Sequence, residues 1–348
     1  MVVRRLEFEV QEAAQILVKD MLGVKPGETV VITADTCADP HVVEAAAAAV
    51  CAAGGKPMAV WTATPSGVGK AADPVLPVEA LSAVLSAADV WIEFNEAWLL
   101  YSTPFEKAMS ANRRLRYICL VGMTGDMLVR TVGRVPREAL EALLKKIAEM
   151  TRKASEMRVT TPAGTDLRFE NDPARPVSCD TGRANVPGVH MLAGQVGWSP
   201  RFESIEGTLV FDGSISPPLG LLKEPMVLTI REGRIVNIEG GAQAEEYRAW
   251  LESFGDENMF RLAHVCYGLN PGARLTGNIL EDERVFGSTE WGIGYLSPQD
   301  APPDGIPAPS HSDGICLSSS VWADGEQLLD KGKIVHPCLA DLARSLKP

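Results

Sequence analysis

Val24-Lys25-Pro26-Gly27-Glu28-Thr29-Val30-Val31-Ile32-Thr33 decides how the first half of this chain is read. Lys25 to Glu28 is a break, because proline lacks an amide donor and glycine takes turn conformations that other residues resist. Residues 29–33, mostly β-branched and bounded by that break, form a short strand. Before it, Val10, Ala13, Ile16 and Leu17 recur at helical spacing through residues 9–22. After it, Asp39-Pro40 reads as an N-cap with proline at the first helical position, opening an alanine-rich helix that stops at Gly54-Gly55. The unit then repeats, with strands at 58–62, 88–94 and 116–121 and a helix at 78–87. Alternation of this kind predicts an α/β domain whose mainly parallel sheet is covered by helices. Pro136 opens a long helix ending near Lys153, so the first domain is expected to occupy residues 1–153.

The second part, residues 154–348, reads as a β-rich α+β domain. Hairpins are expected at 157–169 around Ala163-Gly164, at 226–238 around Glu232-Gly233, and at Trp322-Ala323-Asp324-Gly325, with a strand at 207–211. Helices are expected at 244–254 and at the C-terminus. Residues 302–309 are rich in proline and read as a stiff, exposed loop.

With 348 residues, 46% of them hydrophobic, the chain is long enough for two domains with real cores. A net charge of −12, with no more than two consecutive Lys or Arg, argues against a nucleic-acid partner. The first twenty residues scatter charge among apolar positions and read as neither signal peptide nor membrane anchor. The longest apolar run, residues 45–53, is too short to cross a bilayer. Seven cysteines without C-x-x-C spacing read as reduced thiols of a cytoplasmic protein. No G-x-G-x-x-G or Walker loop is present, so no nucleotide site has sequence support and the expected partners are small molecules.

Chemistry concentrates in Ser310-His311-Ser312-Asp313-Gly314-Ile315. In an extended segment alternate side chains share a face, so His311 and Asp313 can ligate a single metal while Ser312 points away. One further His would complete the facial triad of non-haem Fe(II) oxygenases. The chain offers His41, His190, His264 and His336. His264 lies between an apolar segment and the turn Gly268-Leu269-Asn270-Pro271, and reads either as that third ligand or as a core histidine satisfied by a carbonyl. His190, in a glycine-flanked loop, reads as a general acid or base, or as a surface residue. Glu290, amid small and apolar neighbours in Gly287-Ser288-Thr289-Glu290-Trp291-Gly292, needs a cation or hydrogen bonds if buried. His41 and His336 read as ordinary helix-terminal residues. After the third strand, the segment from Asn95 to Thr103 stands at a sheet edge where α/β folds bind ligands, so Glu96, Tyr101 and Ser102 face a pocket or simply solvent. No paired base accompanies a cysteine, and no G-x-S-x-G elbow occurs.

These motifs, together with Leu262-Ala263-His264-Val265-Cys266-Tyr267-Gly268-Leu269-Asn270-Pro271 and Ser204-Ile205-Glu206-Gly207-Thr208-Leu209-Val210-Phe211-Asp212-Gly213, resemble the M29-type aminopeptidase superfamily, and within it the 2,5-dihydroxypyridine 5,6-dioxygenase branch. Where the peptidases hold two metals, this chain has Gln195 and His264 in place of two glutamates and Glu290 in place of a histidine, while His311 and Asp313 agree. The resemblance implies mononuclear Fe(II) on His264, His311 and Asp313, and an acid or base role for His190; Glu290, from its apolar surroundings, is expected to be catalytic as well. It also implies a hydroxypyridine and O2 as substrates, N-formylmaleamate as product, and a homo-oligomer; substrate contacts are expected at Tyr101, Ser102 and Ser288. The alternatives are an M29-like metal-dependent aminopeptidase or hydrolase, and a non-catalytic binder on the same scaffold.

Overall fold

A computed structural model describes residues 6–346, and the chain divides into two compact units, Met1–Val135 with Gly182–Ala193, and Pro136–Thr181 with Gly194–Pro348. The division differs from the boundary expected at residue 153. The helix Arg137–Lys153 buries Leu140, Leu143, Leu144 and Ile147, and that face packs against strands and the terminal helix of the second unit. Its period shows that an apolar stripe exists, not which unit covers it. Residues 182–193 return to the first unit, which no local pattern announces.

The first unit holds a five-stranded sheet, parallel throughout. Thr29–Asp35 pairs with Lys56–Thr62 on one side and Val90–Glu93 on the other; Arg116–Cys119 and Gly188–Met191 follow. Val30, Val31 and Ile32 are buried, as expected of a central strand in a parallel sheet. Asp39 caps the helix Pro40–Ala52 by accepting from His41 N at 2.9 Å. The loop expected around His190 is instead the edge strand Gly188–Met191, in which His190 pairs with Ile118. Four residues beginning with a glycine are too few to show a period.

The second unit is built on two antiparallel sheets of eight and seven strands. The expected hairpins are present as Glu156–Thr160 with Asp166–Glu170, Met226–Arg231 with Arg234–Glu239, and Ser320–Ala323 with Glu326–Asp330. The seven-stranded sheet carries, in adjacent order, Ile306–Cys316, Thr289–Leu296, Leu262–Gly268, Gln195–Trp198 and Val177–Asp180. Phe169 of the larger sheet stands edge-on to Trp291 of the smaller, with centroids 5.4 Å apart, and near Trp198. Gly314 lies against the Phe211 ring, where a Cβ would come within 2.3 Å of Cζ. One face of the smaller sheet is therefore apolar core. Because side chains alternate along a strand, the residues between those core positions are presented on the opposite face.

The stiff loop expected at 302–309 is half strand, since Ile306–Cys316 runs for 11 residues. Ile306 is buried while Pro307 and Pro309 are exposed, and the ladder shifts register between Gly294 and Leu296. Prolines without donors are tolerated at such an irregularity. Among the described residues no helix is long and apolar enough to cross a membrane.

Candidate metal centre

The strand register assembles the centre. His264 pairs with Gly292, and Gly292 with Asp313, so the three lie in one row across the sheet. Gly294 pairs with His311 in the row on one side, and Cys266 with Glu290 in the row on the other. Opposed residues of antiparallel strands project to the same side. Gly292, having no side chain, leaves the middle of the row open and the His264 ring lies over it. A Cβ there would stand 2.3 Å from His264 Cε1 and 2.4 Å from Nδ1.

His311 Nδ1 donates to the Tyr295 carbonyl at 2.7 Å, which leaves Nε2 facing Asp313 Oδ1 at 2.8 Å. His264 Nε2 is 3.5 Å from the same oxygen, and the two imidazoles stack with centroids 5.1 Å apart. Ligand atoms of His264, His311 and Asp313 all lie within 4.8 Å of one another. An octahedral ion with bonds of about 2.1 Å holds neighbouring ligand atoms about 3 Å apart, so this set is close to what a single ion requires. The backbone carbonyl behind His311 is the outer partner that fixes the tautomer of a metal-bound histidine.

Charge supports the same reading. Glu290 is fully buried 3.1 Å from His264 Nε2, yet neither of its carboxylate oxygens has a hydrogen-bond partner. Burial, and then the neighbouring Asp313, push its carboxyl well above the usual range. Burial also pushes Glu283 up to about 8, against the opposing pull of Arg284. For Asp313, burial works in the same direction but the His311 imidazolium outweighs it and holds the carboxyl at about 2. Glu290 and Asp313 oppose each other in a low-dielectric site, and a cation between them would relieve that opposition. The residues present therefore fit a divalent metal.

A cleft of about 280 Å³ opens over this face, lined by His264, His311 and Asp313 together with Cys266, Gln195 and Glu283. Cys266 is buried beside Glu290, and burial keeps it a thiol, unsuited to act as a nucleophile. Gln195 is held from both ends. Its amide donates to Glu283 Oε2 at 2.8 Å and its oxygen accepts from Arg284 Nη2 at 3.1 Å.

The other expected site residues have the following surroundings. Ser288 is buried and donates to the Val285 carbonyl at 2.7 Å, closing a turn away from the residues that line the cleft. Ser102, Tyr101 and His190 belong to the first unit. Ser102 is fully buried and caps the helix Thr103–Ala111, accepting from Phe105 N at 3.4 Å; Ser-Thr-Pro in front of a helix was a legible capping signal. Tyr101 is exposed, has φ +66°, and stands edge-on to Phe105. His190 donates from Nε2 to the Val186 carbonyl at 2.8 Å. His336 caps the helix Pro337–Arg344, and His41 sits beside Asp39. Glu283, Arg284 and Gly292 carry roles that the sequence reading passed over. Only Gly292 left a trace, in the alternation of Trp291 and Ile293 with Gly292 and Gly294.

Comparison with known proteins adds to this geometry. A family model described as NicX, 2,5-dihydroxypyridine 5,6-dioxygenase, matches residues 17–336. The 2,5-dihydroxypyridine 5,6-dioxygenase of Pseudomonas putida KT2440 is 29% identical over 202 residues, covering 57% of this chain and 55% of that protein. The alignment thus spans about half the length of that relative. Among solved structures, 2,5-dihydroxypyridine dioxygenase from Pseudomonas putida KT2440 superposes with a TM-score of 0.77 at 21% identity, covering 96% of this chain and 99% of that one. Wild-type AmpT from Thermus thermophilus superposes with a TM-score of 0.68 at 18% identity, covering 94% and 99%. At such identities both structures show a shared fold.

Proposed function

The chain belongs to the 2,5-dihydroxypyridine 5,6-dioxygenase family, and from that premise we propose that it is an Fe(II)-dependent ring-cleaving dioxygenase of a hydroxylated pyridine. The substrate that fits this reading is 2,5-dihydroxypyridine, with O2 as co-substrate and N-formylmaleamate as product. The observation that carries it is the row of His264, Gly292 and Asp313 with His311 beside it, two imidazoles and one carboxylate on one sheet face. A ferrous ion held by His264, His311 and Asp313 would supply the redox chemistry that joins O2 to an electron-rich ring.

The protein groups have separable tasks. The Tyr295 carbonyl holds His311 in the tautomer whose Nε2 faces Asp313. Glu290 keeps a buried carboxyl beside His264, where it can hold a proton. His190 is the proposed acid or base for a substrate hydroxyl, a role that requires its Nε2 to release the Val186 carbonyl. Tyr101 is retained as a substrate contact because its ring is exposed. Seven free cysteines support a cytoplasmic setting, and the family resemblance supports a homo-oligomer.

A metal-dependent hydrolase of the M29 type needs a second metal. Gln195 has no carboxylate to offer one, its amide is engaged at both ends, and the Arg284 guanidinium adjoins it. The deciding experiment is anaerobic Fe(II) reconstitution followed by oxygen uptake with 2,5-dihydroxypyridine. Uptake by the wild type, lost in both His311→Ala and Asp313→Ala, is the expected result. No uptake, together with peptide hydrolysis restored by zinc or cobalt, would overturn the oxygenase reading.

A further inference from the structure

Arg284 is a fully buried guanidinium, and its surroundings organise one wall of the cleft. It donates from Nη1 to the Leu280 carbonyl at 2.8 Å and to Glu283 Oε2 at 3.1 Å, and Nη2 lies 3.5 Å from Asp180. Gln195 adds a second donor to the same Glu283 Oε2. All the hydrogen bonds to this carboxylate thus converge on one oxygen. The other, Oε1, accepts none, and the side chain keeps 15% of its surface in the cleft that it lines with His264, His311 and Asp313.

A carboxylate so fixed presents one free acceptor oxygen to whatever occupies the cleft. Of the other acids lining the cleft, Asp313 faces His311, and Asp300 has its charge interactions with His264 and His311. Ser178, also in the wall, donates to the Gly197 carbonyl. A 2-hydroxypyridine exchanges with its lactam, whose ring nitrogen bears a proton beside a carbonyl. Burying that N–H without an acceptor is costly, and the Glu283 oxygen left over by Gln195 and Arg284 is placed to supply one. We propose that Glu283 is a substrate-recognition residue, its Oε1 accepting the ring N–H of the lactam, with Gln195 and Arg284 as the positioning residues that aim it. The inference rests on the hydroxypyridine reading above and deepens it: this contact is what would separate a nitrogen heterocycle from a carbocyclic diol of the same shape.

Glu283→Gln tests the contact. Gln195 and Arg284 both need an acceptor, so the new amide turns its oxygen toward them and its NH2 toward the cleft, replacing an acceptor by a donor. Binding is measured by calorimetry on anaerobic Fe(II)-loaded protein, with 2,5-dihydroxypyridine and with 5-hydroxy-1-methylpyridin-2-one, in which methyl replaces the ring proton. Iron content is measured on each sample. The wild type is expected to prefer the N–H compound by about 10- to 100-fold, the cost of leaving a buried hydrogen-bonding group unpaired. In Glu283→Gln with unchanged iron that preference collapses toward unity. Equal loss for both compounds would mean that Glu283 is only structural and would overturn the inference. So would a wild type that binds the N-methyl compound as tightly as its parent, a result that does not depend on the variant folding. If the wild type binds neither compound, the hydroxypyridine reading itself fails, and the inference with it.

Discussion

Replacing Gly292 by alanine adds one carbon at the point where the His264 ring crosses the neighbouring strand. That carbon would lie 2.3 Å from Cε1, 2.4 Å from Nδ1 and 2.8 Å from Nε2, whereas ordinary contact begins at 3.4 Å. The ring must retreat by about 1 Å, and metal–ligand distances tolerate about 0.2 Å. Gly292 is not among the glycines with positive φ, so the added carbon strains no torsion and the effect is steric alone. Loss of ligand alignment on this scale costs about 10- to 100-fold in metal affinity. The crowding also destabilises the metal-free protein by about 1 to 3 kcal/mol. The assay is an anaerobic ferrous titration against a competing chelator, with urea denaturation of the metal-free protein alongside. A Gly292→Ala protein that binds Fe(II) as tightly as the wild type would refute the placement of His264 as a ligand.

Arg284→Met removes a buried cation and leaves Asp180 and Glu283 uncompensated, so urea denaturation should show a loss of about 3 to 5 kcal/mol; a change below about 1 kcal/mol would contradict the network. In the first unit, burial pushes the Glu93 carboxyl up to about 7, despite hydrogen bonds from Tyr117 and Leu99, so the folded state binds its proton more tightly than the unfolded state, whose value is 4.5. Its contribution to stability is full below pH 4.5 and is lost as pH rises through about 7, on the order of 3 kcal/mol; Glu93→Gln should flatten that part of the stability profile, and an unchanged slope would rule the group out. Phe169→Ala empties the contact with Trp291 between the two sheets and should cost about 3 to 5 kcal/mol by the same measurement, with a negligible loss showing that the sheets do not pack through it.

Much of the fold was legible because its signals are local. A β-branched run after Pro26-Gly27, and Asp39-Pro40 before an alanine-rich helix, produce the same elements in almost any context. The hairpins of the second unit were announced by Glu232-Gly233 and Asp324-Gly325, and both glycines have positive φ. The strand at Gly188–Met191 and the extended course of residues 306–309 were not announced. Each is held by pairing with a partner strand, Arg116–Cys119 in the first case and Leu296 opposite Ile306 in the second.

The α/β class of the first unit, the β-rich character of the second, and the shared face of His311 and Asp313 are set by residue order, because each follows from a period of two or 3.6 along continuous chain. Long-range packing places Gly292 between His264 and Asp313, puts the helix Arg137–Lys153 in the second unit, and brings Gln195 to Glu283 from 88 positions away. A side-chain period says which way a residue points, whereas the register between distant strands is chosen by which faces bury together and by which backbone donors find acceptors. That choice put two imidazoles and a carboxylate around one point.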